Sequence, residues 1–155
     1  VNGLIGDVAD FLSGLCRKKR IDLYLDCAPQ APPVSMDCKA MREVIINIAL
    51  NASQSMKGGG RLTIRTESPD RGSVRVTVED TGEGIPPEFI DRIFEKYSVV
   101  ECQELGQKSD TGLGLAFCHL AVHTMGDDIR VESSPGQCTV FTFFLPLEPP
   151  VSKRT

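Results

Sequence analysis

Two glycine-rich segments constrain this chain more than any other feature of its sequence. The first is Asp80-Thr81-Gly82-Glu83-Gly84-Ile85, and the second, about thirty residues later, is Thr111-Gly112-Leu113-Gly114-Leu115. Glycine lets the backbone lie close to a ligand, and the free N–H groups at the start of a helix bind anionic oxygens. One such segment alone is weak evidence. Together with a polar stripe on the preceding helix, the two segments predict a nucleotide-binding pocket.

The composition is that of one globular domain. The chain has 155 residues, of which 41% are hydrophobic and 25% charged, and its net charge is -4. This length is too short for two full domains, and the acidic balance argues against a nucleic-acid groove. Six scattered cysteines without a CxxC pair indicate reduced thiols and a cytoplasmic location, and no apolar stretch is long enough to span a membrane. The start at Val1, in mid-pattern, suggests a piece of a longer protein that holds any anchor.

Hydrophobic periodicity predicts an α/β fold with about five strands and three main helices. Apolar residues recur at helical spacing in three stretches, 4–16, 37–57 and 112–125. Alternation marks five strands, near 21–25, 61–66, 74–80, 129–132 and 139–143. Asp37 is a plausible N-cap, and 69–72 is typical of a hairpin turn. We therefore predict a two-layer sandwich at 1–148, in which the helices cover one face of a mixed sheet, followed by a tail at 149–155.

The predicted helix at 37–57 carries a stripe of amides away from its apolar face. Asn47, Asn51 and Gln54 follow one another at i, i+4 and i+7, which places them within about 60° of each other. An amide oxygen can ligate Mg²⁺ without repelling the phosphates that the metal must hold. Ordinary surface or capping amides are the alternative when the stripe is taken alone. Beside the glycine segments, we interpret Asn47 and Asn51 as metal ligands and all three residues as ATP contacts.

Asp80 continues the inward phase of Val74, Val76 and Val78, so the pattern predicts a buried carboxylate. A buried, unpaired charge costs several kcal/mol in practice, and the exocyclic amine of adenine is a suitable hydrogen-bond donor to it. Gly82 and Gly84 would let the backbone lie close to the ring. A plain Asp-Thr-Gly turn after a strand is the alternative.

The second glycine segment opens the last predicted helix. Its residues Thr111, Gly112, Leu113, Gly114 and Leu115 would place N–H groups and the positive end of the helix dipole at the phosphates. Lys108 lies just upstream in a polar connection, 95–110, that we interpret as a lid ordered mainly when nucleotide is bound. A solvated lysine is the alternative, but in this context we interpret Lys108 as a phosphate contact.

The last helix is predicted to bury a face made of four apolar residues, Leu113, Ala116, Phe117 and Leu120. His119 and His123 lie mostly off that face. A zinc site that uses both histidines and Cys118 is conceivable, but Cys118 projects at least about 100° away from either ring. We therefore interpret the two histidines as surface residues.

These segments resemble the catalytic and ATP-binding domain of bacterial sensor histidine kinases of the hybrid type, whose Bergerat ATP-binding fold is shared with DNA gyrase, Hsp90 and MutL. REVIINIALNA at 42–52 resembles the N box, and DTGEGIP at 80–86 the first glycine box. IFEK at 93–96 resembles the F box, and SDTGLGLAFC at 109–118 the second glycine box. The ending at 131–146 fits the same pattern. The resemblance covers nearly the whole chain, and its set of motifs is highly specific.

The resemblance implies a domain that binds ATP and Mg²⁺ and phosphorylates a histidine on a separate dimerisation domain, which then passes the group to a response-regulator receiver. Further ATP contacts are expected at Ile85 and Thr139. Related ATP hydrolases have a glutamate as general base where this chain has Asn47, and an amide cannot take a proton from water near neutral pH, so no residue of the chain is assigned as a catalytic base. No contact with nucleic acid or with a membrane is expected of this domain.

The chain departs from the family pattern after Lys96. The family often has an arginine there that reaches toward the phosphates, whereas residues 97–100 contain none. This departure is the sequence support for one alternative, a regulatory module that binds nucleotide with little turnover. A serine kinase of the anti-sigma-factor type, on the same fold, is another alternative. The F box and the C-terminal strands favour the histidine-kinase class.

Overall fold

A computed structural model of the chain describes residues 1–70, 72–95 and 114–147. Within these ranges the chain forms four helices and five strands. In chain order they are α1 (Asn2–Lys18), β1 (Ile21–Cys27), α2 (Cys38–Ser55), β2 (Gly60–Glu67), β3 (Ser73–Asp80), α3 (Pro87–Ile90), α4 (Gly114–Thr124), β4 (Arg130–Ser134) and β5 (Cys138–Pro146). The three main helices and five strands agree with the sequence prediction.

The five strands form one mixed sheet in the order β1-β2-β3-β5-β4. β1 pairs parallel with β2, and every other pair is antiparallel. The predicted β2–β3 hairpin is confirmed. In its turn the Asp70 carboxylate accepts hydrogen bonds from the backbone N–H groups of Gly72 and Ser73, at 2.7 and 3.0 Å. A side chain that binds the backbone two and three residues later fixes the turn and hence the register of the hairpin.

The core lies between one face of the sheet and the three main helices. Alternate residues of β2, β3 and β5 are buried, and they pack with apolar residues of α1, α2 and α4 in one cluster. The other face carries ion pairs such as Arg65–Asp26, whose Nε and Oδ2 atoms are 2.9 Å apart. A sheet with one apolar and one charged face buries only the apolar one, so the predicted two-layer sandwich is confirmed.

Helix α2 has the predicted N-cap. The Asp37 carboxylate accepts a hydrogen bond of 3.0 Å from the Ala40 N–H group. This N–H group lies in the first turn, where it has no carbonyl partner within the helix. The helix ends at Ser55, ahead of the glycines at 58–60, and its last turn lies beside the end of β3. This position matters because Ser55 meets the carboxylate of Asp80 there.

The face predicted for the last helix was wrong. In α4 the buried residues are Cys118, Ala121 and Val122, whereas Phe117 and Leu120 are 37% and 61% exposed. Among the other members of the predicted face, Ala116 is half-buried and Leu113 lies outside the described residues. The helix is apolar on nearly every side, so periodicity cannot tell which side packs. The consequence is an apolar strip on the outside of α4.

Part of the prediction lies outside the described residues. These are most of the predicted lid at 95–110, with Lys108, and the start of the second glycine segment, Thr111, Gly112 and Leu113. The lid, the phosphate contacts at these positions and the domain boundary near residue 148 remain predictions. Of the helices in the described part of the chain, none is long and apolar enough to cross a membrane.

Candidate nucleotide-binding site

Asp80 stands at the end of β3 with its side chain turned into the protein. The residue is 3% exposed, which confirms the predicted inward phase. Its Oδ1 atom accepts hydrogen bonds from the Gly82 N–H group at 2.8 Å and from the Ser55 hydroxyl at 3.3 Å. Burial raises the pKa of Asp80, because the charged form loses solvation that these two hydrogen bonds only partly replace.

The second oxygen of Asp80 is the free acceptor of the site. Oδ2 forms no hydrogen bond with any described residue, since both bonds of the carboxylate go to Oδ1. No fully enclosed side-chain oxygen in the described ranges lacks a partner, so Oδ2 is reachable from outside the fold. The site therefore offers one carboxylate oxygen of a nearly buried residue to a ligand that carries a hydrogen-bond donor. The exocyclic amine of adenine is such a donor.

At two positions of the first glycine segment, Gly82 and Gly84, the neighbouring atoms leave no room for a side chain. A Cβ atom on Gly82 would overlap Ser55 Oγ and lie 2.9 Å from Asp80 Oδ1, closer than a carbon can approach. Gly84 has a φ of +75°, which side chains rarely adopt, and a Cβ atom there would lie 2.9 Å from Pro135 Cα. The backbone beside the carboxylate is thus packed on both sides, against α2 and against the β4–β5 turn.

Gly82→Ala is expected to weaken ATP binding about tenfold or more, because the new methyl group must push Ser55 and Asp80 apart. Calorimetric titration with Mg-ATP measures the effect. Gly58→Ala is the matched control, since a Cβ atom there has nothing within 4 Å. Equal affinities in the two variants would contradict this packing of the site.

The β4–β5 hairpin holds the end of the same glycine segment. The Ile85 N–H group donates to Ser133 Oγ at 2.7 Å, and the Gly136 N–H group donates to the Glu83 carbonyl oxygen at 2.6 Å. Thr139, predicted as an ATP contact, is 3% exposed and lies directly opposite Asp80 on the neighbouring strand. Ser133 was missed by the sequence analysis, because its partners are fixed only by the pairing of three strands.

Asn47, the first amide of the α2 stripe, lies beside the start of α4. Asn47, Asn51 and Gln54 are half-buried, and a Cβ atom on Gly114 would lie 3.2 Å from Asn47 Oδ1. The described end of the second glycine segment is therefore in contact with the first amide of the stripe. Leu115, the next residue of that segment, packs half-buried against the core.

Gln54, the third amide of the stripe, lies among basic side chains. It lines a cavity of about 430 Å³ between the ends of α1 and α2, together with Lys18, Arg20 and Lys57. Lys57 also reaches the first glycine segment, where its Nζ is 3.5 Å from Glu83 Oε1. The basic run at 17–20 caps the carboxyl end of α1, where positive charge offsets the helix dipole.

The donor set fits Mg²⁺ better than a transition metal. The side-chain amides of Asn47 and Asn51 offer neutral oxygens, which suit a hard cation that also binds phosphate. Among the described residues, no three His, Cys, Asp or Glu side chains form a metal cluster. Cys118 is buried, which raises the pKa of its thiol to about 12, whereas the side chains of His119 and His123 are 46% and 71% exposed. The interpretation of both histidines as surface residues is confirmed.

The fold and this site define a nucleotide-binding domain, and comparison with known proteins gives its family. Residues 36–149 match the family described as histidine kinase-, DNA gyrase B-, and HSP90-like ATPase. The chain belongs to this family.

Curated relatives of similar sequence are sensor kinases. The chain is 33% identical over 144 residues to the adaptive-response sensory kinase SasA of Rippkaea orientalis, covering 93% of this chain and 36% of that protein. It is also 33% identical over 142 residues to the sensor kinase CckA of Brucella abortus, covering 83% of this chain and 15% of that protein. The chain thus spans about a third or less of these relatives.

Solved structures share the fold. The catalytic domain of histidine kinase ThkA superposes with a TM-score of 0.81 at 28% identity, covering 96% of this chain and 95% of that one. Full-length ShkA in complex with AMPPNP superposes with a TM-score of 0.79 at 28% identity, covering 96% of this chain and 30% of that one. The predicted sandwich is therefore the fold of histidine kinase catalytic domains.

Proposed function

We propose that this domain binds Mg-ATP and donates the γ-phosphoryl group to a histidine on a separate dimerisation domain of its parent kinase. The observation that carries the proposal is the buried Asp80 carboxylate, which keeps Oδ2 as a free acceptor beside the glycine segment. This arrangement suits the exocyclic amine of adenine. The complex of the related ShkA with AMPPNP supports ATP as the nucleotide.

The α2 stripe supports transfer of the phosphoryl group rather than its hydrolysis. Asn47 and Asn51 would hold Mg²⁺, which when bound neutralises charge on the phosphates. Asn47 stands where a general base would be needed to activate water, and an amide cannot serve as one. Its contact with Gly114 places it at the start of α4, whose N–H groups would bind the phosphates. ATP would therefore be held until an external nucleophile arrives.

The outside of α4 supports the approach of a partner helix. Phe117 and Leu120 are exposed on the same helix whose first residue contacts Asn47. A helix that carries the acceptor histidine could pack on this strip and bring its imidazole near the phosphates, and burying such side chains stabilises the encounter by about 1.5–3 kcal/mol each at most. The phosphorylated histidine would then pass the group to a receiver domain, as the structure of ThkA with the response regulator TrrA suggests. We place this phosphoryl transfer in the cytoplasm.

The test mixes the domain with its own dimerisation segment and γ-labelled ATP. We expect a phosphoprotein whose label is acid-labile and base-stable, as phosphohistidine is. Leu120→Glu should bind ATP normally but lower the transfer rate about tenfold or more, because a charge on the strip opposes docking. Lys39→Glu, an exposed change on α2, is the control.

The outcomes separate the candidate functions. Normal ATP binding without any transfer would leave a nucleotide-binding regulatory module in place of a kinase. An acid-stable label on serine would indicate a serine kinase of the anti-sigma-factor type.

A further inference from the structure

Three polar side chains form a row across neighbouring strands at the nucleotide site. Asp80 on β3 lies directly opposite Thr139 on β5, and Thr139 lies directly opposite Ser133 on β4. Residues that face each other on adjacent strands point to the same side of the sheet, so all three side chains lie on the core face. The row places the Asp80 carboxylate beside the hydroxyls of Thr139 and Ser133. Ser133 also accepts a hydrogen bond from the Ile85 N–H group.

The hydroxyl of Ser133 is shared by three partners. Its oxygen is 2.7 Å from the Ile85 nitrogen, 2.9 Å from the Cys138 carbonyl oxygen and 3.0 Å from Thr139 Oγ1. A serine hydroxyl has one proton to donate and two lone pairs to accept with. The Ile85 N–H group can only donate, and the Cys138 carbonyl can only accept.

One arrangement of protons satisfies all of these groups. Ser133 gives its proton to the Cys138 carbonyl and accepts from both the Ile85 N–H group and the Thr139 hydroxyl. If Ser133 instead donated to Thr139, the Cys138 carbonyl would lose this donor, and the loss of a hydrogen bond in a half-buried site is costly. The proton of Thr139 is therefore directed toward Ser133 and away from Asp80.

The result is a row that presents only acceptors to a ligand. Because the Thr139 hydroxyl donates its proton to Ser133, only its lone pairs face the space beside Asp80. Asp80 Oδ2 is a second acceptor in the same space, since the bond from Gly82 goes to Oδ1. Adenine carries an amino group, a donor, at its 6-position, whereas guanine carries an oxo group, an acceptor, at the same place. Two acceptors facing an oxo group would repel it.

We propose that Ser133 is a positioning residue that sets the preference of this site for adenine over guanine. It does so through Thr139, whose hydroxyl it orients, and it never has to touch the base. This inference rests on the proposed function, because it presumes that the site beside Asp80 holds the base of ATP.

The experiment measures the dissociation constants of Mg-ATP and Mg-GTP for the wild-type domain and for Ser133→Ala by calorimetry. Without Ser133, the Thr139 hydroxyl can rotate and donate to an oxo group. We expect ATP to bind about tenfold more weakly and GTP to bind as before or better, so that the preference for ATP falls about tenfold. Ser133→Thr, which keeps a hydroxyl at this position, should restore the preference. Ser134→Ala is the matched control, since its side chain is exposed on the same hairpin.

The outcomes distinguish this inference from a general structural role. Equal weakening of ATP and GTP would overturn it, because Ser133 would then only hold the backbone at Ile85. An unchanged preference in Ser133→Ala would overturn it as well. Inosine triphosphate tests the wild-type domain without any substitution that threatens folding. It shares the 6-oxo group of GTP and should bind as poorly, and binding as tight as that of ATP would also contradict the inference. Failure of the wild type to bind any Mg-ATP would instead remove the proposed function itself.

Discussion

Asp80→Asn is expected to weaken ATP binding about a hundredfold, since hydrogen bonds to a charged group contribute more than neutral ones. The substitution keeps the shape of the side chain and an Oδ1 atom that can accept from Gly82 and Ser55. It replaces Oδ2, the free acceptor, with an NH₂ group, which would meet the amine of adenine donor to donor. Calorimetry with Mg-ATP measures the loss. Asp22→Asn, at an exposed carboxylate on β1, is the control that should bind normally.

The same substitution is expected to stabilise the nucleotide-free domain at pH 7. Burial raises the pKa of Asp80 above its ordinary value of 3.8. A raised pKa in the folded state means that the contribution of this group to stability is fully present below pH 3.8 and is lost as the pH rises through the folded pKa. At pH 7 the buried charge therefore opposes folding, and a neutral amide removes that cost.

Urea unfolding at two pH values tests the sign of this change in stability. At pH 7 the free energy of unfolding of Asp80→Asn should exceed that of the wild type. The difference should shrink as the pH falls through the raised pKa of folded Asp80 toward 3.8, because the wild-type carboxyl takes up its proton in that range. A variant that binds ATP poorly but folds more stably is the expected signature of a group kept for binding. A less stable variant at pH 7 would show that the carboxylate serves the fold.

Much of this architecture follows from local sequence rules. The alternation of β3 predicted that Asp80 is buried, because side chains two residues apart share a face. The N-cap at Asp37 and the hairpin turn at Asp70 depend on contacts within three residues, and both were predicted. These predictions are confirmed because the atoms that determine each feature are close together along the chain.

The remaining features depend on contacts distant in sequence. The role of Ser133 depends on Ile85, 48 residues earlier, and on a register that joins three strands. The outer side of α4 is decided by how the helix lies on α2, since its own residues are apolar on nearly every side. Here the prediction chose Phe117 and Leu120 as core, and they are exposed. The exposed strip is now a reason to expect a partner.

Asn51→Ala is expected to remove the part of the ATP affinity that depends on Mg²⁺ and to lower phosphoryl transfer about a hundredfold or more. Asn51 lies one turn after Asn47 on the half-buried stripe of α2, so its side chain lies on the same face of the helix as that of Asn47, which contacts Gly114. Alanine cannot ligate a metal. Without the metal, the negative charge of the phosphates is no longer offset at this position.

The measurement is a pair of titrations with ATP, one in Mg²⁺ and one in a chelator. The wild type should bind more tightly in Mg²⁺, whereas Asn51→Ala should bind equally in both and should keep the affinity of the wild type in the chelator, because the Asp80 side of the site is intact. Glu43→Ala is the control on the same helix: its side chain is exposed, and its loss should change neither titration. If Asn51→Ala kept the Mg²⁺ dependence, the metal would have to be held elsewhere, and the α2 stripe would lose its role in phosphoryl transfer.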